Sequence, residues 1–146
     1  MPEQAGEATL REGRDYFAHD ADIGIVGRGP TIERAFEHAA QAMFEIMCGG
    51  EQPHPRVVVH VEFDESDVEL ALVSWLNALL SQARTERLVL SRFQLRRDGD
   101  HWRGEGRGEP WSAGMERGVE VKGATLTELS VTQAADMWEA RCVVDV

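Results

Sequence analysis

Apolar positions recur along this chain with two distinct periods. From Ile32 they follow helical spacing: Ile32, Ala35, Phe36, Ala39, Met43, Ile46 and Met47 share one face. Thr31 stands before them as an N-cap, and Gly49 and Gly50 follow as a stop. The same spacing returns at Leu72, Val73, Leu76, Leu79, Leu80 and Ala83, with Trp75 on the flank. This second helix opens on Ser66-Asp67-Val68-Glu69, in which Ser66 and Glu69 predict a capping box. Rich in leucine and nearly apolar over several turns, it is the expected central core helix.

Elsewhere the period is two. Short strands are predicted over Asp15 to Ala18 and through Ile23-Gly24-Ile25-Val26, the latter closed by Gly27, Gly29 and Pro30. Val57, Val59, Val61 and Phe63 alternate with Val58, His60 and Glu62. Leu88, Leu90 and Leu95 mark a further strand, and Asp98-Gly99-Asp100 a hairpin. His101 to Gly108 reads as a glycine-rich strand, bulged or at an edge. Strands over Val119 to Lys122, Leu129 to Thr132 and Trp138 to Val146 complete the set. In the last of these, Trp138, Ala140, Cys142, Val144 and Val146 face one way, and Glu139, Arg141, Val143 and Asp145 the other. This order predicts an α+β fold, with two main helices packed on one face of a mostly antiparallel or mixed sheet. Residues 1–13 are expected to form a flexible N-terminal tail and residues 14–146 a single domain. A chain of 146 residues is long enough to bury a core without staples.

Charge narrows the function classes. With 15 Lys+Arg against 26 Asp+Glu, the net charge is −11. That disfavours a main nucleic-acid or membrane-surface binder, which needs clustered Lys and Arg. It fits a cation or a basic partner surface, and solubility alone accounts for it equally well. Cys48 and Cys142 lack CxxC spacing; two buried thiols in a reducing cytosol are expected, with a disulfide as the alternative. The polar, acidic N-terminus is unlike a signal peptide, so a cytoplasmic setting is expected.

Most catalytic patterns are missing. There is no GxSxG, no HExxH and no zinc-type Cys/His cluster. Gly24-Ile25-Val26-Gly27-Arg28-Gly29 has the spacing of neither GxGxxG nor a P-loop and reads as a turn. His54 lies between two prolines, His38 falls on the polar face of the first helix, and His60 reads as a satisfied structural histidine. Two acidic segments remain. His19-Asp20-Ala21-Asp22 is an oxygen-rich turn, and the chain ends Val143-Val144-Asp145-Val146. If the fold brings them together, the carboxylates of Asp22 and Asp145 and the α-carboxylate of Val146 make a hard-cation shell suited to Ca²⁺ or Mg²⁺. The alternatives are a structural Asx turn and a solvated chain end.

Taken in order, these pieces are similar to a known family. Ala18-His19-Asp20-Ala21-Asp22, the strand and glycine from Ile23 to Gly29, and the Ala- and Met-rich helix through Ala42-Met43-Phe44 resemble the opening of archease. So do Trp75-Leu76-Asn77, Leu88-Val89-Leu90-Ser91-Arg92-Phe93, Gly108-Glu109-Pro110, Val121-Lys122-Gly123-Ala124-Thr125 and the terminal Val144-Asp145-Val146. The resemblance runs from about Tyr16 to Val146. It implies a protein that is not an enzyme and that activates an RtcB-type RNA ligase in tRNA splicing, promoting its guanylylation and turnover. It also implies a divalent metal at Asp22, Asp145 and Val146, and carries Lys122 over as a functional residue beside His19 and Asp20. The chain departs from the family where Ala18 replaces Asp, Asp20 replaces Thr, and Leu126-Thr127 replace Tyr-His. An expected Arg-His is replaced near Met115. These departures leave open a divergent, chaperone-like or regulatory binding module without a ligase partner. A metal-dependent hydrolase using Asp20 or Asp22 with His19 is the third alternative; no acid/base pair stands at a convincing spacing for it.

Overall fold

The computed structural model describes residues 11–146. Most of the expected tail therefore lies outside the described residues, but Glu12 and Gly13 take part in the fold. Gly13 pairs with Arg28, and a Glu12 oxygen meets Arg34 and His38. The described elements run β1 (Gly13–His19), β2 (Asp22–Gly29), α1 (Ile32–Met47), β3 (Val57–Asp64), α2 (Val68–Glu86), β4 (Leu88–Asp98), β5 (His101–Pro110), β6 (Gly123–Ala124), β7 (Ser130–Ala134) and β8 (Met137–Asp145).

Among the described residues the fold is α+β with two helices, as expected. Every strand pairing among the described residues is antiparallel, and these strands divide between two sheets rather than forming one. The first has the order β1-β2-β8-β6, with β7 also on β8; the second has the order β3-β5-β4. The burial of α1 explains the division. Ala35, Phe36, Ala39, Ala40, Ala42, Met43 and Phe44 are all buried. At 100° per residue they span roughly 200° of the helix circumference, twice what a single facing sheet requires. β2 and β8 cover one side of α1, and β4 covers another. α2 lies under the three-stranded sheet and reaches β6.

Several local expectations change. Trp75 is not on a flank but fully buried, its indole N–H donating to the Phe36 carbonyl at 2.9 Å. The α2 cap is Asp67 rather than Ser66: one Asp67 oxygen accepts from the Glu69 and Leu70 N–H groups at 2.9 and 3.1 Å. Asp67 immediately precedes the first helical residue, and Ser66 stands one position too early. The glycine-rich β5 is the central strand of its sheet, and the register shift falls on β4 between Leu90 and Arg92. A Cβ at Gly104 would strike the Trp75 ring, and one at Gly106 would meet Leu90 at 2.8 Å. The glycines are thus room for α2 rather than a sign of an edge. β2 runs on through Gly27 to Gly29, because Gly27 lets the α1 backbone at Ala35 and Ala39 approach closely. Among the described residues, 119–122 join no sheet ladder; the strand there is only Gly123–Ala124. His60 is exposed rather than a buried structural histidine, and Cys48 is half-buried while Cys142 is buried. No described helix is long and apolar enough to cross a membrane.

Candidate functional site

The two acidic segments do meet. β1 ends at His19, the chain turns through Asp20 and Ala21, and β2 begins at Asp22, which closes the hairpin opposite His19. Asp20 takes a positive φ of 51°, a conformation that Asp tolerates better than most residues. β8 then pairs with β2 from the other end of the sequence, with Ile23 opposite Val144. Continued by one residue, that register sets Asp22 opposite Asp145. Their side chains consequently share one face of the sheet. The Val146 N–H donates to Asp22 Oδ1 at 3.4 Å, a long bond that ties the last residue to the acidic turn.

On the other side of β8, Gly123 pairs with Asp145 and the Lys122 N–H donates to the Asp145 carbonyl at 2.8 Å. Three strands from distant parts of the chain thus bring Asp22, Asp145 and Lys122 to one end of the sheet. Two facing carboxylates repel each other, and their oxygens are the donor type that a hard cation would take. Asp22 is half-buried and Asp145 exposed, which leaves room for waters to complete a shell.

The rest of the acidic turn is arranged differently. The Asp20 side chain is 93% exposed, and its Oδ2 stands 3.9 Å from His19 Nδ1. That nitrogen is buried and has no hydrogen-bond partner among the described residues. Among the described residues, no three His, Cys, Asp or Glu side chains converge into a metal-holding group. The two carboxylates that the β2–β8 register sets opposite each other are, among the described residues, Asp22 and Asp145.

One contributor escaped the periodicity argument. Asn77 of α2 accepts from the Ala124 N–H at 2.9 Å and donates to the Ala124 carbonyl at 3.3 Å. It clamps β6, and with it Lys122, beside β8. Its signal in the sequence is an amide set between the apolar Leu76 and Ala78 in the middle of the helix.

The family model described as the Archease protein family (MTH1598/TM1083) matches residues 15–146. This chain belongs to the archease family. It is 33% identical to a protein archease of Sulfolobus acidocaldarius over 135 residues, covering 90% of this chain and 97% of that one. It is 32% identical to a protein archease of Methanothermobacter thermautotrophicus over 139 residues, covering 92% and 99%. Among solved structures, the solution structure of protein 1598 from Methanobacterium thermoautotrophicum superposes with a TM-score of 0.82 at 31% identity, covering 93% of this chain and all of that one. A crystal structure from Thermotoga maritima, titled an archease and possible chaperone, shares the fold with a TM-score of 0.62 at 19% identity over 93% of this chain and 99% of that one. The archease match takes in both acidic segments and the Asn77 clamp.

Proposed function

We propose that this archease-family chain is a non-catalytic activator of an RtcB-type RNA ligase, promoting its guanylylation and turnover in tRNA splicing or RNA repair in the cytoplasm. In this reading Asp22, Asp145 and the Val146 carboxylate hold a divalent cation, Ca²⁺ or Mg²⁺. The observation that carries the reading is the β2–β8–β6 register, in which two facing carboxylates stand beside the backbone of Lys122. A cation there offsets their repulsion and gives an acidic surface one positive centre for a partner's phosphate or carboxylate groups. Lys122, His19 and Asp20 are the further candidate residues of this reading.

The test joins a binding readout to an activity readout. Ca²⁺ or Mg²⁺ should raise the melting temperature of the wild type and leave Asp22→Asn and Asp145→Asn unmoved, since ligand binding to the native state stabilises it. In a ligase guanylylation assay with the ligase of the same organism, the wild type should stimulate, and both variants should lose about tenfold or more of that effect. Stimulation that survives both substitutions rejects the metal role. No stimulation by the wild type rejects the ligase role.

A second reading, a chaperone-like or regulatory binding module, draws on a different observation. Leu126 is 63% exposed at a position where the family carries a polar aromatic, next to Thr127. The replacement of Tyr-His by Leu126-Thr127 is what favours this reading. Absence of ligase stimulation together with retained metal binding would favour it.

A further inference from the structure

A cleft of about 640 Å³ opens between the C-terminal end of α2 and the segment 111–121, and neither Asp22 nor Asp145 lines it. Its floor is apolar: Leu80, Leu88 and Val121 are buried there. Its rim is aromatic and cationic. The Arg117 guanidinium lies 4.0 Å over the Trp111 ring. Arg87 stands beside them, its backbone fixed in the left-handed conformation at the α2 C-cap, with its carbonyl accepting from the Trp111 N–H at 3.1 Å. Arg84 is already committed, donating to the Val121 and Lys122 carbonyls at 2.6 and 2.8 Å.

Among the described residues, neither Arg87 nor Arg117 forms an ion pair, although the chain carries 26 Asp+Glu. Glu120 is the one acidic residue among the described residues of the lining. Flat cationic and indole surfaces over an apolar floor match a planar ring with an attached anion. The wall offers little to an extended peptide, because the Gly118 and Val119 N–H groups are spent on the Met47 and Ile46 carbonyls at 2.9 Å each. The volume is that of a single small-ligand site.

We infer that this cleft binds a nucleoside phosphate, with the base against Trp111 and the apolar floor and the phosphate on Arg87 and Arg117. Base–aromatic stacking supplies one part of the recognition and the planar guanidinium forks the other. The inference is independent of the ligase and metal readings.

The experiment follows the indole N–H resonance of Trp111, assigned through Trp111→Phe, while purine nucleoside 5′-monophosphates are added to the full chain. A saturable shift is expected. Arg87→Ala and Arg117→Ala should each weaken binding about tenfold, the loss of one charge-assisted contact. Arg87→Lys, which keeps the charge without the fork and leaves the cap conformation, should fall between. The free nucleoside and inorganic phosphate should each bind more weakly than the monophosphate. No saturable shift overturns the inference, as does inorganic phosphate binding as well as the nucleotide. A shift unaffected by the Arg87→Lys and Arg117→Ala changes also overturns it.

Discussion

His101 shows how much a single residue's setting decides. On the solvent face of the three-stranded sheet its Nδ1 meets Asp64 at 2.7 Å and its Nε2 meets Glu62 at 2.5 Å. These hydrogen bonds, first to Asp64 and then to Glu62, raise the His101 pKa above its ordinary value of about 6.5. A raised folded-state value means the stabilisation is complete below the unfolded value. It is lost as pH climbs through the folded one. An NMR titration of the wild type should therefore place the His101 midpoint above that of a free histidine. In Glu62→Gln/Asp64→Asn the midpoint should fall back toward about 6.5; an unchanged midpoint would show that the two carboxylates do not hold the proton. Burial alone acts on Cys142, pushing its thiol up to about 12. Cys48 spends its S–H on the Glu51 carbonyl at 3.2 Å. Both cysteines are free.

At the scale of the element, helix ends and strand glycines carry the lesson. The N-terminal signal of α2 offers two oxygens in succession, Ser66 and Asp67, and only Asp67 closes on the first-turn N–H groups. Asp67→Ala should cost about 1 kcal/mol of stability in urea unfolding, and Ser66→Ala should stay within about 0.5 kcal/mol. The reverse order would restore Ser66 as the cap. β5 teaches the same point from the other side. Gly104 and Gly106 look like weaknesses of a strand, yet they lie at its centre because Trp75 and Leu79 of α2 press into the space they leave.

For the whole molecule, the question is what couples the two sheets. α1 is shared between them, and the Trp75 indole bonds α2 to the Phe36 carbonyl of α1. The second tie is Asn77, which joins the helix under the three-stranded sheet to β6 of the other sheet. Asn77→Ala leaves the Ala124 N–H and carbonyl without their partner, at a cost of about 1–3 kcal/mol. Hydrogen exchange should then quicken at Ala124 and Lys122 while the β3-β5-β4 amides keep their protection. Uniform loss of protection in both sheets would instead mean that Asn77 holds the fold rather than the docking of β6.

Period and punctuation determined most of the element list of this protein: two helices, most of the strands, the Asp98-Gly99-Asp100 hairpin and the α+β class are all read from neighbours within a few residues. The acidic turn and the acidic chain end were equally visible as segments. Their meeting was a conditional, because Asp22 and Asp145 become opposed only through the β2–β8 register. Tertiary structure alone decided that the strands form two sheets, that Trp75 is core, that β5 is central and that residues 119–122 lack a ladder. It alone gathered Arg87, Trp111 and Arg117 at one cleft and Asn77 against Ala124. Local pattern reports which face of an element is apolar, not what covers that face. Partners far apart in sequence are chosen by the packing of the whole chain.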